Sequence, residues 1–260
     1  MCPYPAMKRK KGTMGMELFR KIIDEAVHLP LIDQITFTGL GETLLDKHLM
    51  ERLRYTRAAM PAIPIDIYTN GTFLTREKAE ELRDAGLSML YVSLNAVNKE
   101  KRQQIMFPHR PGFYDFDQVC DTLDYIIPRA GKMRVVVKGI VSKDFMECDD
   151  AETFRQRWHG STTQDGNAFL HLEGNWAGAV WPMRIKPVTA CGRALSQIMV
   201  LWDGRVSLCC FDGEGQVILG DLRSQTIREI YNGEKALNIR LAHVEGRRGS
   251  LELCSTCTAI

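Results

Sequence analysis

The chain has 260 residues, of which 45% are hydrophobic, 25% charged and 8% aromatic. These values exclude a disordered, collagen-like or coiled-coil protein, and the length is sufficient to bury a core without disulfides. The formal net charge is +2, too balanced for the broad positive field of a nucleic-acid-binding protein, so no nucleic-acid partner is expected.

Between residues 15 and 175 short β-branched or aromatic segments alternate with amphipathic helical segments. This alternation predicts βα units and a parallel sheet, which is an α/β fold. The predicted strands are Gln34 to Thr38, Ile65 to Thr69, Met89 to Asn95, Arg134 to Val141 and Ala168 to Glu173. The predicted helices are Met16 to His28, Asp46 to Ala59, Thr75 to Ala85, Phe116 to Ile127 and Asp150 to Trp158.

Polar or glycine residues lie at the ends of the first three predicted strands. The three segments are Gly39-Leu40-Gly41-Glu42-Thr43, Asn70-Gly71-Thr72 and Ser93-Leu94-Asn95. Functional groups in parallel α/β folds gather at the carboxyl ends of strands, so these segments predict a shared pocket. A plain turn would also explain Asn70-Gly71.

The pattern changes after Trp181. Residues Ile198 to Leu208 predict a hairpin with an Asp203-Gly204 turn, and a short helix is predicted from Thr226 to Asn232. We therefore predict one domain over residues 1–181 and a small metal-stapled domain over residues 182–260.

The cysteines give the strongest chemical signal. Cys254 and Cys257 form a CxxC pair, and Cys191 with either Cys209 or Cys210 would complete a set of four thiolates. Such a set suits either zinc or an iron–sulfur cluster, and the residue types alone leave both open.

The cellular location is predicted from what the chain carries. In a reducing compartment the eight cysteines are better explained by metal ligands than by disulfides. The first ten residues hold prolines and basic residues, and no apolar stretch is long enough to cross a bilayer. We therefore expect a cytoplasmic protein with no membrane partner. The basic run Lys8-Arg9-Lys10-Lys11 predicts either a solvated loop or a contact with an acidic ligand.

Several segments, in order along the chain, resemble the radical S-adenosylmethionine (radical SAM) superfamily. Met1-Cys2-Pro3-Tyr4-Pro5 is similar to the end of its CxxxCxxC cluster loop. Gly39 to Leu45 resembles its GGEP-type motif, with Thr43 in place of the usual proline. Ile67 to Gly71 and Val92 to Asn95 resemble its third- and fourth-strand segments.

The C-terminal part is similar to SPASM/Twitch domains, which bind auxiliary four-iron four-sulfur clusters. Cys191 and Cys209 are 209 − 191 = 18 positions apart, and Cys209 and Cys254 are 254 − 209 = 45 positions apart. These spacings suit the one-cluster Twitch pattern, which has no counterpart for Cys210.

The resemblance implies a partial (β/α)6 barrel whose first strand is missing or incomplete, followed by a small β-hairpin and helix domain. It implies a catalytic four-iron four-sulfur cluster, S-adenosylmethionine and an auxiliary cluster. Of the cysteines that usually hold the catalytic cluster only Cys2 is present. We therefore expect a misassigned start codon or a fragment, and the chain as written would be inactive.

The resemblance also assigns roles to residues. The implied metal ligands are Cys2, Cys191, Cys209, Cys254 and Cys257. The implied cofactor-binding residues are Tyr4, Gly39, Gly41, Glu42, Thr43, Asn70, Ser93, Asn95 and Ile140. The candidate catalytic groups are His171, Glu173, Arg193 and Asp212. Plain packing would also explain Tyr4 and Ile140, and Glu42 would also serve as the capping carboxylate of the helix predicted near Asp46.

The implied function is that of a radical SAM oxidoreductase, which cleaves S-adenosylmethionine reductively and abstracts a hydrogen from its substrate. An auxiliary cluster suits reactions in which an electron leaves the substrate, so oxidation of a sugar or cyclitol alcohol ranks above modification of a peptide. The implied electron donor is a flavodoxin or ferredoxin. A non-catalytic metal-binding protein that keeps only the C-terminal cysteine site is the remaining alternative. A conventional nucleotide-binding oxidoreductase is disfavoured, because no G-x-G-x-x-G follows the first strand.

Overall fold

The computed structural model describes residues 2–141, 148–158, 168–172, 177 and 190–258. Its contacts divide the chain into two compact units. The sheet unit consists of Leu31–Thr38 and Glu42–Glu173, and the thiol unit consists of Met1–Pro30, Gly39–Gly41 and Gly174–Ile260. The predicted domain boundary near residue 181 lies outside the described residues.

The sheet unit is built on a parallel sheet whose five described strands lie side by side in chain order. They are β1 (Ile35–Phe37), β2 (Ile65–Thr69), β3 (Met89–Ser93), β4 (Arg134–Val141) and β5 (Ala168–Leu172). In this register Ile67 of β2 pairs with Leu90 of β3, which pairs in turn with Val135 of β4. The α/β class is thus confirmed, and each predicted strand lies within two residues of the observed ends.

The described α-helices are ten in number. The helix of the thiol unit that precedes the sheet is α1 (Met16–Ala26). Those of the sheet unit are α2 (Leu49–Ala59), α3 (Arg76–Asp84), α4 (Lys99–Met106), α5 (Phe116–Ile126) and α6 (Cys148–Arg157). Those of the C-terminal part are α7 (Gly192–Ser196), α8 (Ile227–Asn232), α9 (Glu234–Val244) and α10 (Glu252–Ser255). No helix within the described ranges is both long and apolar enough to span a membrane.

Alternation along the central strands builds the core of the sheet unit. One face of the sheet packs against the helices through side chains that are at most 1% exposed, namely Ile65, Ile67, Leu90, Val92, Val135 and Val137. Burying each such side chain stabilises the fold by about 1.5–3 kcal/mol. Since successive strand residues point to opposite faces, Tyr68 of β2, Tyr91 of β3 and Lys138 of β4 lie on the other face.

Local signals set the ends of α3 as the sequence predicts. The Thr75 hydroxyl accepts a hydrogen bond from the Lys78 amide at 3.1 Å and so caps the first turn. Gly86, with φ +85°, follows the last turn in the left-handed conformation that glycine adopts without strain.

The thiol unit contains an antiparallel sheet of β6 (Met199–Val200), β7 (Arg205–Ser207) and β8 (Ile218–Asp221). The hairpin predicted over Ile198 to Leu208 is confirmed, with Gly204 at φ +93° in its turn. The short predicted helix is confirmed as α8, which begins with a capping box between Thr226 and Glu229.

Candidate functional site

Glu42 connects the ends of the first two strands of the sheet unit. Its Oε1 accepts hydrogen bonds from Thr69 Oγ1 at 2.5 Å and from the Leu44 amide at 3.0 Å. Its Oε2 accepts a third from the Asn70 amide at 2.7 Å. The bond to Leu44 caps the short 3-10 helix Thr43–Leu45. The carboxylate therefore has a capping role, on this helix and not on α2, and it also connects the Thr43–Leu45 helix to the end of β2.

Arg102 lies at the same edge of the sheet and is only 1% exposed. Its Nη2 donates to the Asn70 carbonyl at 2.7 Å, and its Nη1 donates to the carbonyls of Leu94 at 3.0 Å and Ser93 at 3.3 Å. Its Nε and Nη2 also donate to the Asp115 carboxylate, at 2.6 and 2.8 Å. One buried guanidinium thus holds the ends of β2 and β3 together.

Asp115 is the counter-charge of Arg102. Burial by itself would raise the pKa of the Asp115 carboxyl, but the hydrogen bonds and the charge of Arg102 outweigh burial and hold that pKa below its usual range. The Thr72 hydroxyl donates a further bond to the carboxylate at 2.7 Å. Asp115 is therefore ionised at neutral pH and balances the buried cation.

The two asparagines predicted to bind the cofactor lie beside this network. Asn70 Oδ1 accepts a hydrogen bond from the Thr72 amide at 2.8 Å and stabilises the turn after β2. Asn95 is 4% exposed and has φ +58°, a left-handed conformation that asparagine adopts more readily than most residues. Its amide donates to the Lys138 carbonyl at 3.0 Å. Asn70 and Asn95, which the sequence predicted by motif alone, therefore lie together at this edge of the sheet.

The remaining predicted residues of the sheet unit are placed less completely. Ser93 ends β3, and Ile140 lies in β4, half-buried, with its Cα paired to that of His171 in β5. The side chain of His171 and the whole of Glu173 lie outside the described residues. Their catalytic roles stay predictions.

The thiol unit contains the glycine turn and the segment around Cys2. Gly39 and Gly41 are exposed, with φ +146° and +140°, values that a side chain would strain. The turn therefore presents bare backbone. A Cβ at Gly41 would lie 3.7 Å from the Tyr4 ring, and the Lys11 Nζ lies 4.1 Å from the centroid of that ring. Cys2 is exposed.

The predicted thiols Cys191, Cys209, Cys254 and Cys257 line one cavity of about 20 Å³ in the thiol unit, hereafter the thiol cavity. Burial raises the pKa of Cys209 to about 12 and that of Cys254 to about 11. Cys210 does not line this cavity, and the two adjacent cysteines lie in the bend after β7, not in the strand. Among the described residues no three His, Cys, Asp or Glu side chains stand close enough to hold a single metal ion.

Cationic and imidazole groups also line the thiol cavity. Arg248 is 3% exposed and its Nη2 donates to the Cys257 carbonyl at 3.1 Å. His243 is 1% exposed, and its Nδ1 accepts a hydrogen bond from the Cys191 amide at 3.1 Å. Burial, and then the charge of Arg248, lower the pKa of His243. The imidazole is therefore neutral at pH 7, and because Nδ1 accepts, the proton is assigned to Nε2.

Two predicted catalytic groups lie near these thiols. Arg193 lines the thiol cavity itself. Asp212 is 2% exposed, and its carboxylate accepts hydrogen bonds from Ser207 Oγ at 2.9 Å, the Val217 amide at 2.9 Å and the Gln216 amide at 2.8 Å. Both carboxylate oxygens are thus engaged within the loop between β7 and β8. Catalysis by either residue stays a prediction.

Sequence reasoning missed three side chains on the sheet face opposite the helices. The rings of Tyr68 and Tyr91 stack with centroids 4.4 Å apart and an interplanar angle of 11°. The Lys138 Nζ lies 4.9 Å from the Tyr68 centroid and 5.8 Å from that of Tyr91. The strand alternation carried the signal, since Tyr68 and Tyr91 are the neighbours of the core residues Ile67 and Leu90.

Comparison with known proteins identifies the family. Residues 1–147 match the family model of the radical SAM superfamily. The chain belongs to the radical SAM superfamily. Residues 191–258, which include the four cysteines of the thiol cavity, match the SPASM iron–sulfur cluster-binding domain. Radical SAM proteins with such a domain bind four-iron four-sulfur clusters and S-adenosylmethionine, act on small-molecule or peptide substrates and need an electron donor.

One relative of the chain is similar along its whole length. The S-adenosyl-L-methionine-dependent 2-deoxy-scyllo-inosamine dehydrogenase of Niallia circulans is 24% identical over 260 residues, which are 100% of this chain and 86% of that protein. The PqqA peptide cyclase of Bradyrhizobium diazoefficiens is 29% identical over 102 residues, 38% of this chain and 26% of that protein.

Two solved structures share the fold. The crystal structure of BtrN in complex with AdoMet and 2-DOIA has a TM-score of 0.67 at 22% identity, covering 100% of this chain and 86% of that one. Native anSMEcpe with bound AdoMet has a TM-score of 0.63 at 14% identity, covering 93% and 79%.

The residues present fit two of the three groups that the family implies. The thiol cavity offers four cysteines, the donor set that an iron–sulfur cluster requires. The bare backbone at Gly39 and Gly41 fits close approach by S-adenosylmethionine. The radical cluster is different, because this sequence has only Cys2 where that cluster usually takes three thiolates. The residues present do not form that donor set.

Proposed function

We propose that this radical SAM protein oxidises a secondary alcohol of a small molecule, of the sugar or cyclitol class, to a ketone. The observation that carries the proposal is the thiol cavity, where four cysteines from three separate segments of the chain line one buried space. The full-length likeness to a dehydrogenase supports it. Such a cavity gives the protein a place for an electron acceptor beyond the cofactor that starts the reaction.

The chemistry balances as follows. A secondary alcohol becomes a ketone when its carbon loses a hydrogen atom, its oxygen loses a proton, and the carbon-centred radical gives up one electron. S-adenosylmethionine, split by one electron from the external donor into methionine and a 5′-deoxyadenosyl radical, would supply the acceptor of the hydrogen atom, which leaves as 5′-deoxyadenosine. An auxiliary cluster held by the four cysteines of the thiol cavity would supply the acceptor of the substrate's electron. The chain must therefore bind the cofactor and the alcohol and keep water from the radical.

We assign substrate binding to Tyr68, Tyr91 and Lys138. The stacked rings of the two tyrosines offer an apolar surface to the C–H face of a ring-shaped polyol. The Lys138 ammonium group, placed over those rings, donates hydrogen bonds to a hydroxyl or ketone oxygen. Because it favours substrate and product oxygens alike, Lys138→Met should raise KM more than it lowers kcat. Lys132→Met, an exposed lysine just before β4, is the matched control.

We further propose a cytoplasmic location and a flavodoxin or ferredoxin as the electron donor. The structure describes free thiols at seven cysteines. They include Cys120 and the four cysteines of the thiol cavity. Free thiols in this number are typical of a reducing compartment. Iron–sulfur sites also depend on thiolates that have not been oxidised.

The proposal is tested with protein expressed from its gene together with the in-frame codons upstream of Met1. The protein is loaded anaerobically with iron and sulfide, reduced with dithionite, and given S-adenosylmethionine with cyclitols, sugars or short peptides. We expect 5′-deoxyadenosine and a ketone in equal amounts from a polyol. Crosslinked peptide with no ketone would instead identify a maturase. Full iron loading with no 5′-deoxyadenosine would identify a non-catalytic metal-binding protein.

A further inference from the structure

The segment that follows Cys2 is attached to the loop that carries Cys209. Glu214, in the loop between β7 and β8, accepts a hydrogen bond from the Lys8 amide on Oε1 and one from the Arg9 amide on Oε2, each at 2.8 Å. The Arg9 Nε donates to the Gly213 carbonyl at 2.9 Å. All these residues belong to the thiol unit. The basic run of the sequence is therefore anchored through its backbone to one carboxylate.

A tryptophan provides a second attachment for this segment. The Trp202 Nε1, in the turn of the β6–β7 hairpin, donates to the Lys10 carbonyl at 3.0 Å. Its ring lies so close to Gly12 that a Cβ there would be 2.6 Å from ring atoms. Residues 8–12, hereafter the anchored segment, thus contact both the β7–β8 loop and the β6–β7 turn of the small sheet.

Internal hydrogen bonds stiffen the loop between Cys209 and Glu214, so that a change in the position of Cys209 also moves Glu214. The Asp212 amide donates to the Cys209 carbonyl at 3.1 Å, and the Gly215 amide donates to the Asp212 carbonyl at 3.0 Å. The Asp212 carboxylate accepts the three bonds described above and closes the loop from inside. Glu214 is therefore rigidly connected to Cys209, whose thiol lines the thiol cavity.

The same loop also contacts the glycine turn. A Cβ on Gly213 would lie 2.2 Å from the Leu40 Cδ1 and 4.0 Å from the Pro3 Cγ. A side chain at position 213 would therefore displace Leu40. The Cys209–Glu214 loop thus packs against both parts of the thiol unit that the sequence assigns to the catalytic cofactors.

We propose that Glu214 is a positioning residue that couples the thiol cavity to the anchored segment. A cluster bound through Cys209 fixes the Cys209–Glu214 loop, and Glu214 then holds residues 8–12, only a few positions after Cys2, in one conformation. The loading state of the auxiliary site thereby decides how well ordered the chain beyond the radical cluster loop is. The proposal requires the thiol cavity to bind metal but does not depend on which substrate is oxidised.

A carboxylate suits this role because it offers two equivalent acceptor oxygens to two neighbouring amides. Glutamine keeps one acceptor and turns an NH₂ group toward the other amide, so Glu214→Gln should lose one bond and repel the second donor. Glu234→Gln changes an exposed glutamate in the first turn of α9 of the same unit and is the matched control.

The test measures hydrogen exchange of the Lys8 and Arg9 amides in iron-loaded and in chelator-treated protein. In the wild type, loading should slow exchange of both amides. In Glu214→Gln exchange should be faster by about ten- to a hundredfold, the factor for hydrogen bonds to a charged acceptor, and loading should no longer slow it. Iron content and the visible cluster spectrum should match the wild type, because no thiol is changed. Glu234→Gln should behave as the wild type in every measurement.

Three results would overturn the proposal. One is unchanged protection of Lys8 and Arg9 in Glu214→Gln, and another is wild-type protection that is equal with and without iron. The third is loss of bound iron in Glu214→Gln, which would place the effect of Glu214 on the thiol cavity itself. If Glu214→Gln fails to fold, Trp202→Phe, which removes only the bond to the Lys10 carbonyl, tests the same route. Metal-dependent protection of Lys8 and Arg9 should persist in that variant, because both bonds to Glu214 remain, and its loss would refute the assignment to Glu214.

Discussion

Replacing Arg102 by methionine tests whether one buried cation organises the sheet edge. The side chain is 1% exposed and makes five hydrogen bonds, two to Asp115 and three to strand-end carbonyls. Arg102→Met keeps most of the length but leaves the buried Asp115 carboxylate without its counter-charge. Breaking a buried pair in this way costs about 3–5 kcal/mol. For a protein of this size that corresponds to a fall in Tm on the order of 10 °C.

The pH dependence gives this prediction a second, independent readout. The folded-state pKa of Asp115 is held below its usual range, so the pair stabilises the fold fully above the unfolded-state pKa of about 3.9. That stability is lost as pH falls through the lower, folded-state pKa. The difference in unfolding free energy between wild type and Arg102→Met should therefore be large at pH 7 and shrink below about pH 4.

Urea unfolding followed by circular dichroism, at pH 7 and at pH 3.5, measures both effects. Lys99→Met is the matched control, because it removes an exposed lysine from the first turn of the same helix and should change stability by less than about 0.5 kcal/mol. A double variant Arg102→Met with Asp115→Leu should recover part of the loss, since no buried charge is then left unpaired. Arg102→Met within about 1 kcal/mol of the wild type at pH 7 would refute the assigned role.

Three further predictions test other parts of the structure. Cys254→Ala or Cys257→Ala should lower bound iron and destabilise the thiol unit. The control variant Cys120→Ala, in the core of the sheet unit, should keep full iron content. Equal iron content in all three variants would refute the ligand assignment. Burial raises the pKa of Asp66, so the ionised carboxylate destabilises the fold above about pH 4. Asp66→Asn removes this charge and should therefore raise the urea midpoint at pH 7 but not at pH 3.5. Glu42→Ala removes three hydrogen bonds and should cost about 2–3 kcal/mol in the same assay, with partial recovery in Glu42→Gln; an unchanged midpoint would contradict its bridging role.

Regular alternation made most of the sheet unit predictable. The bounds predicted for the second and fourth strands coincide with those of β2 and β4, because both are β-branched runs that bury one face completely. The helix α4 was not predicted, although its buried residues include Ile105. Its other buried residue is Arg102, so the face that packs inward carries a charge, and hydrophobic periodicity cannot reveal such a helix.

The helix α9 escaped prediction for the opposite reason. Ala236, Ile239 and Ala242 are buried, whereas Leu237, Leu241 and Val244 are exposed. Apolar residues therefore lie around the whole circumference, and the contrast between faces that marks an amphipathic helix is absent. The strand β8 is short and ends in Gly220-Asp221, residues that are typical of a turn.

The candidate site contains residues whose role can be predicted from the residue type and others whose role cannot. Few roles require a cysteine, so the spacing of Cys191, Cys209 and the CxxC pair was sufficient to predict that they meet. A carboxylate that accepts backbone amides has no such signature. Glu214 accepts hydrogen bonds from the amides of Lys8 and Arg9, which precede it by 206 and 205 positions. Only the folded chain brings these residues together.

This difference also indicates which substitutions can alter the function of the protein without removing the metal site. On the proposed assignment, a substitution at one of the four cysteines removes a ligand outright, whereas one at Glu214 or Glu42 leaves the four cysteines in place and alters only the hydrogen bonds that the carboxylate accepts. The iron content of a variant therefore reports on the cysteines, and amide protection at Lys8 and Arg9 reports on the connection. If both measurements moved together in every variant, the two levels would not be separable, and the thiol cavity and the anchored segment would form one cooperative element.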